Sequence, residues 1–146
     1  MHRSLVRLAV VPIILFLLQF VQSPALAQDA SEPKSAATAF LNALDSSDPG
    51  AIYDKWVASR AKEAITKLSF IQNVNVFRIQ AGGPVQSRLF VGGTALSQLQ
   101  NGTTGDFYYI RFREGYPTAQ LFFDVTLEHE GQNWLVLNYY LSPAPP

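Results

Sequence analysis

Between Thr104 and Leu141 the apolar positions recur with a period of two. Tyr108, Ile110 and Phe112 alternate with Phe107, Tyr109, Arg111 and Arg113, and Leu121, Phe123, Val125 and Leu127 alternate with Phe122, Asp124 and Thr126. This is the signature of half-buried strands. A four-residue turn over 115–118 predicts that Tyr108 lies opposite Val125, Ile110 opposite Phe123 and Phe112 opposite Leu121, which puts one apolar set on one face. A third run, Trp134 to Leu141, follows the turn residues 130–133. It is apolar on both faces, so its pattern leaves the register open.

Upstream the period changes to that of helices. Ala36, Ala37, Phe40, Leu41 and Leu44 form a stripe that starts after Pro33 and stops at the polar run 45–48. Asp48 and Pro49 supply a cap and first turn for a short second helix that buries Ile52, Tyr53, Trp56 and Val57. Ser59 caps a third that turns Ala61, Ala64, Ile65 and Leu68 inward, with a Glu63–Lys67 pair outside. Ser69 and Gln72 have capping-box spacing, predicting a fourth helix from Phe70 to Ala81 that Gly82, Gly83 and Pro84 end. Val85 to Val91 then reads as the first strand, with Gly92 and Gly93 as a bulge or bend. The expected architecture is α+β: N-terminal helices packed on a curved four-stranded antiparallel sheet.

Composition narrows the function. Met1 to Ala27 has a basic start at Arg3 and Arg7, an apolar core over 8–21 and a small-residue end at Ala25 to Ala27. These are the parts of a secretory signal peptide, so a periplasmic or secreted protein is expected. Roughly 14 apolar residues interrupted by Pro12 fall short of the ~20 that span a bilayer, and no membrane span is expected after cleavage. The expected divisions are 1–27 signal peptide, 28–32 flexible tail, 33–142 single domain and 143–146 Pro-rich tail. Without Arg3 and Arg7 the eleven Lys and Arg fall to nine, against eleven Asp and Glu. No basic stripe is present to replace phosphate counterions, which disfavours nucleic acid as a partner. The chain has no Cys, which removes disulfides, thiolate nucleophiles and thiolate metal sites.

Chemistry-bearing residues are sparse. His129 is the only histidine after His2, it sits beside a turn, and no metal-ligand spacing accompanies it. The glycine pairs lack the Lys-Ser/Thr of a phosphate cradle. No cofactor and no metal is expected. Arg88 lies mid-strand, where a guanidinium needs a carboxylate or solvent. It either anchors a ligand at a cavity mouth or makes a salt bridge to Asp124, Asp106 or Glu63 that ties sheet to helix. Tyr53, Trp56, Tyr108 and Trp134 are the aromatic candidates to line that cavity, the first three with Arg88 around a small apolar ligand. On the other sheet face Phe107, Tyr109 and Phe122 accompany Arg111 and Asp124, a ring-rich surface suited to a homodimer or another partner.

The order of Ala39 to Asp45, Tyr53 to Trp56, Gly83 followed by Arg88, Gly105 to Phe112, Val125 to Leu127, and Gly131 to Val136 leading to Tyr139 resembles the secreted bacterial domain of unknown function family 4019. That family is similar to the nuclear transport factor two-like and cystatin-like cone folds. This chain departs from the family pattern at 69–71, where a Trp is usual, at Asp124, where Glu is usual, and at Asn138, where Gly is usual. The resemblance implies helices over a curved sheet and a periplasmic or secreted home, and it carries no activity. Two functions therefore stand at this level. One is a non-catalytic module that binds a small ligand or a protein. The other is a small proton-transfer enzyme, an isomerase or dehydratase, using a buried Asp124 with Tyr109 or Tyr53.

Overall fold

The computed structural model describes residues 32–145. The expected signal peptide, the tail up to residue 31 and Pro146 lie outside the described residues. Four helices, α1 (Pro33–Ser46), α2 (Pro49–Trp56), α3 (Ser59–Ala64) and α4 (Lys67–Ala81), precede four strands, β1 (Ser87–Gln98), β2 (Thr104–Gly115), β3 (Gln120–Glu130) and β4 (Asn133–Pro143). The strands form one antiparallel sheet in the order β1-β2-β3-β4. This is the α+β architecture that the two periodicities predict. No helix among the described residues is long and apolar enough to cross a membrane.

Two of the four helix starts carry a side-chain cap, at Asp48 and Thr66. Ser59 does not cap α3 as expected but is its first residue, and its amide and hydroxyl donate to the Glu130 carboxylate at 2.7 and 2.8 Å. Pro33 opens α1, and the Asp48 carboxylate accepts from the Ala51 amide at 2.9 Å to start α2. The third and fourth helices divide differently from expectation. Ile65 adopts an extended backbone, and the Thr66 hydroxyl caps α4 by accepting from the Ser69 amide at 3.2 Å. Thr66 thus precedes Ser69 as the stop-and-start point, so α3 ends at Ala64 and Leu68 is 64% exposed rather than inward. Lys67 pairs with Asp54 at 2.6 Å instead of Glu63. Gly82 ends α4 at φ +74°, and a Cβ there would also lie 2.5 Å from Thr118 Cγ2.

The β2–β3 hairpin keeps its predicted faces but slips by two residues. Tyr108 faces Leu127, Ile110 faces Val125, and Phe112 faces Phe123. The cause is the turn. Tyr116 and Ala119 exchange backbone hydrogen bonds at 2.8 and 3.3 Å, which leaves Pro117 at the corner position its fixed φ suits. Strand β1 runs through its glycines to Gln98, with Val91 out of register between Phe90 and Gly92. The double-sided apolar run of β4 has a similar explanation. Leu127 pairs with Val136 and Thr126 with Asn138, so Leu137 is an extra residue. Trp134 and Val136 face inward before that bulge, and Tyr139 and Leu141 after it.

The core lies between the helices and one sheet face. Phe40, Leu41 and Leu44 of α1 and Ile52 of α2 are fully buried with Ile110, Phe123, Val125 and Leu127. Phe40 meets Tyr139 at 5.5 Å between ring centroids, and Phe77 of α4 meets Tyr116 and Phe123 edge-on at 5.5 and 5.4 Å. Each such side chain contributes roughly 1.5–3 kcal/mol of transfer free energy. Arg78 ties α4 to the end of α1 by donating to the carbonyls of Leu44 and Ser47 at 2.7 and 2.6 Å, which also complements the helix dipole.

Candidate functional site

The four residues expected to surround a ligand do not converge. Tyr53 donates to the Ile65 carbonyl at 2.8 Å and packs its ring on Phe70. Trp56 is buried under the Lys55 ammonium and borders a cavity of about 260 Å³ between α1 and α2. Tyr108 meets Trp134 edge-on at 6.1 Å. Arg88 is at the other end of the sheet, opposite Glu114, whereas Tyr108 is opposite Ala95.

Arg88 is ion-paired, and its partners are not those the sequence suggested. Its guanidinium donates to Glu114, to Asn42 and, at 2.9 Å, to Asp45. It thus joins β1 to β2 and to α1. Tyr116 donates to the other Glu114 oxygen at 2.5 Å and lies 3.3 Å from Asp45. Glu114 has no exposed surface. Burial opposes the charge on Arg88, and Glu114 and Asp45 outweigh it, so its pKa is raised. Burial and then Glu114 push the Tyr116 hydroxyl far above its usual value. This cluster was missed at the sequence level. Its signal was present, because Glu114 continues the inward set Tyr108, Ile110, Phe112.

The opposite sheet face carries the other expected set. Asp124 accepts from Arg111 in bidentate fashion at 2.6 and 2.8 Å and from the Tyr109 hydroxyl at 2.7 Å. The Arg111 guanidinium covers the Phe122 ring at 4.9 Å. The hydrogen bond from Arg111, against some burial and with help from Tyr109, holds the Asp124 carboxyl below its usual range. A carboxylate so held is a poor proton acceptor. Tyr53, the other candidate, has its proton committed to Ile65. Phe107, expected on this face as a docking residue, is fully buried and has no surface to offer a partner. His129 stacks on Trp134 at 4.6 Å and contacts Asp106 at 3.1 Å. Among the described residues no three His, Cys, Asp or Glu side chains are grouped to hold a metal ion.

Two larger clefts flank β4. The first, about 440 Å³, lies between α3, α4 and β4, with Ala61, Ala64, Ile65, Phe77, Leu137 and Tyr139 among its walls. It is mostly apolar. Burial alone raises the pKa of the Tyr139 hydroxyl, and no hydrogen-bonded neighbour contributes. The second, about 500 Å³, lies on the outer sheet face. Tyr109, Asp124, Thr126, Asn138 and Tyr140 form its floor, and the segment from Leu96 to Asn101 forms its rim. Both clefts are within the ~300–1,000 Å³ typical of small-molecule sites.

The chain belongs to a family described as proteins of unknown function (DUF4019), whose profile matches residues 36–139. No curated protein and no solved structure matches it.

Proposed function

We propose that this protein is a non-catalytic binding module of the periplasm or the extracellular space that takes a small, largely apolar ligand in the cleft between α3, α4 and β4. The observation that carries this reading is the cleft itself, whose walls are hydrocarbon apart from the amides of Asn73 and Asn138 and the hydroxyl of the half-buried Tyr139. A ligand with an apolar body and one neutral hydrogen-bonding group fits that surface, since apolar burial supplies affinity and the hydroxyl sets orientation. The absence of a charged side chain among the walls favours neutral over ionic heads. The leader-like first 27 residues support the compartment. The ion-paired state of Asp124 supports binding over proton transfer.

Fluorescence titration with N-phenyl-1-naphthylamine, a neutral apolar probe, tests this. Saturable binding is expected, and Ala64→Trp should abolish it without lowering Tm, because Ala64 is an exposed wall residue. Absence of saturable binding, or binding indifferent to Ala64→Trp, would overturn the reading.

A further inference from the structure

We infer that the outer-face cleft is a second site, for a neutral polyhydroxylated ligand of the saccharide class. The starting observation is an unmet hydrogen bond. Among the described residues Asn138 Oδ1 is buried and has no hydrogen-bond partner, a condition that folded proteins rarely tolerate without a ligand or water to meet it. The sheet face to which the residue belongs follows from register. Asn138 pairs with Thr126, and Asp124 pairs with Tyr140. Tyr109 is opposite Thr126, and Arg111 is opposite Asp124. These six residues therefore share the sheet face that carries the cleft.

The chemistry of the lining selects the ligand. Asp124 is the only charged side chain among the lining residues, and Arg111 neutralises it. An ionic ligand would gain no counter-charge there. What remains is a set of hydroxyls and amides from Tyr109, Thr126, Asn138, Tyr140 and Gln100, able to exchange several neutral hydrogen bonds. Tyr109 donates its hydroxyl hydrogen bond to Asp124, so its oxygen is presented as an acceptor. Tyr140 is 67% exposed and offers a ring face to the carbon-bound hydrogens of a sugar.

The rim is held in place before any ligand arrives. Gln98 donates to the Gly102 carbonyl at 3.1 Å, and Asn101 accepts from the Thr103 amide at 3.0 Å. Preorganisation of this kind lowers the cost of binding. The site lies on a sheet face and not along an edge, so it is not built to add a peptide strand. It is independent of the apolar cleft in ligand chemistry, although Asn138 borders both.

The test is heteronuclear NMR of the purified protein with cellotriose, maltotriose and chitotriose at millimolar concentration. At least one should shift the amide resonances of Thr126, Asn138 and Tyr140 saturably. Tyr140→Ala, at an exposed position that leaves the fold intact, should weaken that binding by about tenfold or more, the loss of one good contact. Asn138→Leu should abolish it and raise Tm, because the orphaned oxygen is removed together with the ligand contact. No saturable shift with any of the three, or binding unchanged in Tyr140→Ala, would overturn the inference. So would sedimentation showing a dimer whose interface covers Tyr140. Naphthylamine binding reports on the other cleft, so failure of one site is read separately from failure of the other.

Discussion

Glu114 shows how one side chain decides the character of a whole end of the molecule. A carboxylate on the inward face of β2 is stable there only because Arg88 and Tyr116 both donate to it. Removing it strands Arg88 with Asp45 and Asn42 and leaves the Tyr116 hydroxyl without its short bond. Glu114→Ala is therefore expected to destabilise by about 3–5 kcal/mol, measured by urea denaturation. Glu114→Gln, which still accepts from Tyr116, should lose less. Equal losses would show that the ionic partner is immaterial. At the same scale, Asp124 illustrates a residue whose type was legible and whose role was not. The sequence offered it as a base, and only its distance to Arg111 made it a fixed anion. Asn138 gave less warning still, since nothing in an apolar run of residues announces an amide oxygen without a partner.

At the scale of elements, irregularities place the functional surfaces. The extra residue Leu137 rotates β4 so that Asn138 and Tyr140 share the outer face while Tyr139 and Leu141 turn toward the helices. Both clefts depend on that rotation. The glycine pair in β1 is a second irregularity, and its two members differ. A Cβ on Gly93 would lie 2.9 Å from the Tyr109 carbonyl oxygen and 2.8 Å from Tyr108 Cε1, whereas one on Gly92 meets nothing within 4 Å. Gly93→Ala should destabilise by about 1–3 kcal/mol through overpacking, and Gly92→Ala should change stability by no more than ~0.5 kcal/mol. Thermal unfolding of the two variants distinguishes them, and similar Tm values would contradict this strand register.

For the whole molecule, burial predicts a rigid sheet and a more easily opened helical cover over β4. Strands β2 and β3 are central, and Ile110, Val125 and Phe123 on them are fully buried. Helix α4 exposes Leu68, Val76 and Ile79, and α3 has only six residues. A six-residue helix, and a longer one that exposes much of its apolar surface, open at low free-energy cost. If the apolar cleft is a binding site, amide hydrogen exchange should slow in α3 and α4 on addition of N-phenyl-1-naphthylamine and stay unchanged in β2 and β3. Protection confined to β2 and β3 would place the probe elsewhere.

The class of fold, the number of strands, the faces of β2 and β3, the proline start at Pro33, the cap at Asp48 and the stop at Gly82 were all legible in the chain's local pattern. These are local properties, written in periods of two and 3.6 and in backbone preferences that act over a few residues. Even locally it left gaps: two successive cap signals, Thr66 and Ser69, competed, and the hairpin slipped because Pro117 took the corner of its turn. Tertiary structure alone decided where β4 gains its extra residue, that Arg88 is neutralised by Glu114 and Asp45, that Phe107 is covered, and that Tyr139 and Asn138 each reach a cleft. Those outcomes depend on residues far apart in the chain meeting at distances of about 3 Å, the length of a hydrogen bond. No local pattern encodes such meetings, because each side chain's partner is chosen by the packing of the whole.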